Sequence, residues 1–377
     1  MNRLKKIIDQ QTTLVIKVGT HLLANKEKGI NNQFLDKLAQ NIAELRSKGV
    51  RVALVTSGAI GAGVAALGLS KRPTSIPEKQ ATAAVGQPLL MEAYEHAFRT
   101  RQMQVAQILL TKDDFTVRRR YVNAKNTFQA LFDFGVIPII NENDTVAVEE
   151  IKLGDNDNLS AMVATLIDAT MLILLSDIDG LYDSDPHINQ SAKLIHIVET
   201  ITPEIEQLAN KGINELSTGG MVTKIQAAKR CVQAGIAMII ANGKDPSILQ
   251  SIVAGTFRGT IFLPSEKKMT QRKQWIALIS RPSGSIIVDD GAQQALTALK
   301  KSLLPSGIIS TNGKFNVRDI VLIYDRNGNL IGKGISNFSS DEVQLIKGKK
   351  SREMEAILKR KAPAEVIHRN NLVVIGD

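Results

Sequence analysis

Val50-Arg51-Val52-Ala53-Leu54-Val55-Thr56-Ser57-Gly58-Ala59-Ile60-Gly61-Ala62-Gly63 is the stretch on which the architecture turns. It opens as a β-branched apolar run, Val50 to Val55, which reads as a buried strand, and passes through Thr56, Ser57 and Gly58 into a helix-length segment. Glycines at such a junction let the backbone approach a ligand, and the helix that follows offers its N-terminal amides to an anion. The spacing is neither Gly-x-Gly-x-x-Gly nor Gly-x-x-x-x-Gly-Lys-Ser/Thr, so neither a dinucleotide fold nor a P-loop is indicated. A tight turn that needs small residues only for packing stays open for Gly61 and Gly63, and less so for Ser57 and Gly58.

Working outward, the same rhythm fills the first 265 residues. Thr13 to Val18, Val105 to Leu110, Val136 to Ile140, Met171 to Leu175 and Ala237 to Ala241 read as further buried strands, separated by helix-length amphipathic segments. The pattern predicts an α/β fold with a mainly parallel sheet sandwiched by helices. Ligands of such sheets sit at the carboxyl ends of strands, so chemistry is expected in the loops that follow these runs.

Beyond Pro264 the composition changes. A charged stretch, Ser265, Glu266, Lys267, Lys268, precedes Trp275 and then Pro282, Ser283, Gly284. Short strand-like runs follow at Ser285 to Val288, Ile320 to Tyr324 and Leu330 to Ile335, punctuated by Asn312-Gly313 and Asn327-Gly328. The expected division is 10–265 for the large domain, 266–280 for a linker and 281–365 for a small, mostly β domain.

The 377 residues, 44% of them hydrophobic, suffice for two such cores. Cys231 is the only cysteine, which excludes an internal disulfide and suits a cytoplasmic location. No apolar targeting region follows Arg3, Lys5 and Lys6, and runs such as Met171 to Leu175 fall far short of a membrane span. The net charge of +10 fits an anionic small substrate or nucleic acid. Residues 281–377 carry 15 basic and 10 acidic side chains, a denser positive charge than the rest, which plain solubility also accounts for.

Several loops could carry chemistry. Lys17-Val18-Gly19-Thr20 can project an ammonium group and backbone amides at a phosphate, though a solvated lysine at a strand end gives the same pattern. Asn141-Glu142-Asn143-Asp144 and Gly154-Asp155-Asn156-Asp157-Asn158 crowd short polar side chains behind a buried strand, as an ammonium-bearing substrate would require. A calcium loop is disfavoured there by the missing glycine and glutamate, while turn formation alone stays open. Ser176 and Asp177 follow the most apolar strand. Ser217-Thr218-Gly219-Gly220-Met221-Val222-Thr223-Lys224 forms a glycine-rich helix entrance with a lysine one turn in, a second phosphate cradle. The five histidines show no metal-ligand spacing, and no metal site formed by the protein is proposed.

Taken together, Lys17 to Thr20, Val55 to Ala59, Ile140 to Val146, Lys152 to Ala161 and Thr218 to Lys224 resemble the glutamate 5-kinase branch of the amino-acid kinase family. The tail resembles a PUA domain through Gly284 to Ala292 and Leu303 to Gly307. The asparagine- and aspartate-rich segment is the most diagnostic part, since related kinases of aspartate, acetylglutamate or UMP differ there. The resemblance implies ATP contacts at Lys17, Gly19, Ser176, Asp177 and through Thr218, Gly219, Gly220, Met221, Val222, Thr223 and Lys224. It implies glutamate contacts at Ser57, Asp144 and Asn156, with Gly58 and Asn141 beside them. Family members often carry threonine where Ser176 stands, a change that keeps the hydroxyl.

The implied reaction is ATP- and magnesium-dependent phosphorylation of the glutamate side-chain carboxylate, the first step toward proline. A carboxylate is already anionic at neutral pH and needs no general base. Lys17 and Lys224 are expected to neutralise the transferring phosphoryl group, with Asp157 holding both lysines. Feedback by proline, RNA contact through the PUA-like domain, no membrane association and a homo-oligomeric state are further expectations. Two alternatives remain: a kinase of another acidic amino acid or UMP, and an RNA-binding protein acting through its basic tail.

Overall fold

The structure is a computed structural model describing residues 12–25, 29–147, 156–186, 188–210, 220–265 and 270–374. Of the expected site positions, Thr218 and Gly219 lie outside the described residues, as does the segment 148–155. The chain divides into two compact units, Met1–Lys268 and Met269–Asp377.

Among the described residues ten strands belong to the first unit: β1 Thr13–Val18, β2 Ala24–Asn25, β3 Gly29–Ile30, β4 Arg51–Val55, β5 Val105–Leu110, β6 Ile137–Glu142, β7 Met171–Ser176, β8 Ile197–Val198, β9 Ala237–Asn242 and β10 Gly259–Phe262. Eight of them form one sheet in the order β5-β6-β4-β1-β7-β9-β10-β8, while β2 and β3 pair as a small hairpin. From β5 to β9 every neighbour is parallel, and β10 runs antiparallel to β9. The mainly parallel sheet expected from the strand rhythm is therefore present, with an antiparallel turn near one edge.

Strand alternation sends side chains to two covered faces. Leu14, Ile16 and Val18 of β1, Leu54 of β4, Ile139 of β6 and Ile173 and Leu175 of β7 share a core with Leu35, Leu38 and Ile42 of helix Asn32–Ser47 and with Leu90, Tyr94 and Phe98 of helix Ile76–Arg99. Lys17 alternates out of that set onto the opposite face. There helix Asn156–Leu166 packs on β1, and helix Met221–Gln233 packs on both β9 and helix Asn156–Leu166. All of Leu159 to Leu166 is buried, as a helix covering a parallel sheet requires.

Helix Ala59–Ala66, which follows β4, meets helix Ile76–Arg99 without room for a side chain between them. A Cβ on Gly63 would lie 1.9 Å from the Thr82 carbonyl oxygen, and one on Gly86 would lie 1.8 Å from that of Ala59. Close packing thus accounts for Gly63. We expect Gly86→Ala to destabilise the protein by about 3 kcal/mol, since only a helix shift relieves a backbone clash. A urea titration checks this, and an unchanged midpoint would show that the helices slide freely.

The second unit holds β11 Gly284–Val288, β12 Ile308–Asn312, β13 Ile320–Tyr324, β14 Leu330–Ile335 and β15 Leu372–Val374, in the sheet order β12-β11-β13-β14-β15. Its core is made by Ile286, Val288, Val321, Ile323, Phe338 and Val343 among others. The described part of the expected linker is helical. Thr270 caps Gln271–Gln274, a π-helical turn continues through Trp275–Ile279, and Trp275, Ile276 and Ile279 are buried where this segment packs on β14 and β15. Apolar side chains one turn apart thus attach the segment to the sheet of the second unit.

Candidate active site

At the carboxyl end of β1, Lys17 places its Nζ 2.7 Å from Asp157 Oδ1. Lys224, one turn into helix Met221–Gln233, places its Nζ 3.0 Å from Asp157 Oδ2. Asp157 is fully buried, and Lys17 and Lys224 are only 7% and 5% exposed. The Thr223 hydroxyl donates to the Gly220 carbonyl at 2.9 Å and also approaches Asp157 Oδ2 at 3.2 Å. Two ammonium groups thus converge on one carboxylate in a nearly water-free place, an arrangement that suits an incoming phosphate.

Burial pushes the Asp157 carboxyl up, but the Lys17 and Lys224 ammonium groups overcome it and hold the carboxyl down at about 2. Its position in the first turn of helix Asn156–Leu166 favours the same charged state. The entrance to helix Met221–Gln233 is capped by Gly220, which has no side chain to cover the first-turn amides. Those amides are the anion-binding groups of a helix N-terminus, and they stand one turn from the Lys224 ammonium.

Asn156, next to Asp157, reaches the other way. Its Nδ2, with two hydrogens to share, lies within hydrogen-bonding reach of the Thr56 carbonyl, of Ser57 Oγ at 2.9 Å and of Asn141 Oδ1 at 3.0 Å. Ser57 follows β4 and Asn141 lies at the end of the adjacent parallel strand β6, which explains how residues far apart in sequence converge. Gly58 caps helix Ala59–Ala66 at φ +104°, a conformation that side-chain-bearing residues rarely adopt. Beneath this turn the Thr56 and Tyr94 hydroxyls are hydrogen-bonded at 2.9 Å.

The remaining expected residues fall into place unevenly. The Gly19 amide donates to the Leu175 carbonyl at 3.1 Å, so it is not offered to a phosphate, and a Cβ on Gly19 would lie 3.3 Å from that carbonyl oxygen. Ser176 ends β7 and its hydroxyl donates to the exposed Asp177 carboxylate at 3.1 Å. Asp144 is half-buried in the turn after β6. Met221 and Val222 are half-buried in the first turn of their helix. A cavity of about 450 Å³ opens beyond β5 and β6, lined by Thr111, Asp114, Arg120, Glu142 and Asn143, and no clamp residue lines it.

Two residues were given no role from the sequence. Asp179 accepts from Asn242 at 3.0 Å and from Arg258 at 2.8 Å, tying the loop after β7 to the far strands. Gln87 accepts from Asn141 Nδ2 at 2.9 Å and lies on the buried stripe of its helix with Ala83, Leu90 and Tyr94. A glutamine at helical spacing among buried apolar residues is the signal that could have found it.

The sequence matches the amino acid kinase family over residues 12–242 and the PUA domain over residues 284–358. It is 49% identical to the glutamate 5-kinase of Caldanaerobacter subterraneus over 96% of this chain and 97% of that protein. It is 48% identical to the glutamate 5-kinase of Geobacter sulfurreducens over 98% of this chain and 99% of that one. Nearly full-length likeness at this level, on a sheet whose strand ends carry the clamp and the asparagine cluster, makes the chain a member of the glutamate 5-kinase family, an amino acid kinase domain followed by a PUA domain.

Proposed function

We propose that the chain transfers a phosphoryl group from ATP to the side-chain carboxylate of glutamate, giving glutamyl 5-phosphate in the cytoplasm as the first step toward proline. The observation that carries this reading is the divided reach of two consecutive residues. Asn156 joins the Ser57 and Asn141 cluster, and Asp157 joins the Lys17 and Lys224 clamp. Consecutive Cα atoms lie about 3.8 Å apart, so one helix start sets the distance between the acceptor pocket and the phosphoryl site.

In this reading glutamate contacts Ser57, Gly58, Asn141, Asp144 and Asn156, and ATP contacts Lys17 and the stretch Thr218 to Lys224. Ser176 and Asp177 face the adenosine. The substrate carboxylate attacks the γ-phosphorus as an anion, and the two ammonium groups take up the charge that spreads over the transferring oxygens. Magnesium carried by ATP would supply further charge neutralisation on its phosphates. Among the described residues no group of three or more His, Cys, Asp or Glu side chains could hold a metal ion. Among the same residues no helix is long and apolar enough to cross a membrane. The proposal extends to proline feedback, RNA contact through the second unit and a homo-oligomer, each supported by family membership.

Purified protein given ATP, magnesium and, separately, glutamate, aspartate, acetylglutamate or UMP should yield a hydroxylamine-trappable acyl phosphate with glutamate. A product from another acceptor in place of glutamate overturns the reading. Asp144→Ala should raise KM for glutamate about tenfold or more with little change in kcat, because it removes charge-assisted binding away from the reacting atoms. An unchanged KM would remove Asp144 from the pocket.

A further inference from the structure

Four amide side chains form one continuous relay. Asn156 Nδ2 donates to Asn141 Oδ1 at 3.0 Å, Asn141 Nδ2 donates to Gln87 Oε1 at 2.9 Å, and Gln87 Nε2 donates to Gln107 Oε1 at 3.2 Å. The members come from helix Asn156–Leu166, β6, helix Ile76–Arg99 and β5. Gln87 is 9% exposed and Asn141 3%.

A primary amide can turn over and exchange its oxygen and nitrogen, so a chain of amides has two directions. Here backbone groups that cannot exchange roles select one. The Glu142 N–H donates to Asn141 Oδ1 at 2.9 Å, which holds that oxygen in place and leaves Asn141 Nδ2 to donate toward Gln87. At the other end the Thr56 carbonyl accepts from Asn156 Nδ2. Asn156 therefore keeps its nitrogen on Thr56, Ser57 and Asn141, and its Oδ1 is the acceptor left for a ligand ammonium group. Ser57 Oγ accepts from Asn156 at 2.9 Å, so its own hydrogen is left to donate to a carboxylate.

We propose that Gln87 is a positioning residue that, as the acceptor for Asn141, holds Asn141 and through it Asn156 in the orientation the backbone groups select, and so keeps one acceptor and one donor ready for the amino-acid substrate. The inference rests on the glutamate reading of the pocket. Gln87 acts through Asn141 and never touches substrate. Without it the buried Asn141 Nδ2 lacks its acceptor, and turning the amide over would set its nitrogen against the Glu142 N–H and the Asn156 nitrogen, donor against donor.

The test uses the full-length protein and steady-state kinetics with both substrates. Gln87→Met removes the acceptor at nearly constant volume and should raise glutamate KM about tenfold, with kcat and ATP KM within about twofold of wild type. In an Asn141→Ala background the same substitution should raise glutamate KM no further. Gln87→Glu retains an oxygen toward Asn141, and Gln107 can turn to donate to it, so glutamate KM should stay within about threefold of wild type. An unchanged glutamate KM in Gln87→Met, an equal rise of both KM values, or a multiplied effect in the double variant overturns the relay. Should Gln87→Met not fold, Gln87→Glu decides alone, and a tenfold rise there overturns it. Wild-type protein that makes no acyl phosphate from glutamate would sink the glutamate reading instead, and that outcome is read before any variant is made.

Discussion

Replacing Lys17 or Lys224 by alanine is expected to lower kcat by about a hundredfold to a thousandfold while leaving glutamate KM nearly unchanged. The two ammonium groups lie 2.7 and 3.0 Å from the oxygens of one buried carboxylate, which they share. Near a protein surface a unit charge acts on another at 4 Å with about 4 kcal/mol, and the effect is larger where water is excluded. As the phosphoryl group leaves ADP its oxygens gain negative charge, so an interaction of that size grows toward the transition state and lowers the barrier. In the proposed reading glutamate is held by other residues, which is why its KM should hardly move. The measurement is kcat at saturating ATP and glutamate for each folded variant. A near-normal kcat in either would show that its ammonium group stands away from the transferring phosphorus, and the clamp would reduce to a structural ion pair.

Where the sequence was legible, a local pattern carried the information. Thr13–Val18, Val105–Leu110, Ile320–Tyr324 and Leu330–Ile335 have the bounds that β-branched runs suggested, and β6, β7 and β9 each end one or two residues later than expected. The added residues, Asn141 and Glu142 of β6, Ser176 and Asn242, are polar and sit where strands meet the ligand edge. Strands β8, β10, β12 and β15 were not anticipated. They span only two to five residues. β10 starts at Gly259, whose Cβ would lie 2.5 Å from the Ile240 carbonyl oxygen, and β12 alternates with largely solvent-facing residues. Pairing with neighbours distant in sequence, rather than propensity, defines them. The helical segment Gln271–Ile279 was hidden by its charged start, Arg272 and Lys273, which outweighed Trp275, Ile276 and Ile279 in a reading by composition.

The site divides in the same way. Polar residues straight after apolar runs marked Lys17, Ser57, Asn141 and Ser176, because a buried strand end has few other uses for them. What spacing cannot show is that Asn156 and Asp157 face opposite halves of the site. That depends on the order β6-β4-β1-β7, which puts β4 and β6 on one side of β1 and leaves Lys17 under the helix that both residues start. Gln87 stayed invisible for a related reason: its partners come from two different strands.

Asp157→Asn should be the most damaging single change, and the damage should depend on nucleotide. Asparagine removes the carboxylate that both ammonium groups, 7% and 5% exposed, contact. Breaking a buried charge cluster from one side costs about 3 to 5 kcal/mol, and the nucleotide-free variant should lose about that much in a urea titration. A bound triphosphate restores the missing negative charge, so a saturating non-hydrolysable ATP analogue should stabilise the variant more than wild type. Acid provides an independent sign. The Asp157 carboxyl is held at about 2 in the folded protein against about 3.9 in an unfolded chain, so its contribution is complete above the higher value and disappears as pH falls through the lower. Wild type should therefore lose stability relative to the variant between about pH 4 and 2, and the two should converge. Parallel acid curves, or equal stabilisation by nucleotide, would mean that Asp157 does not neutralise the lysines.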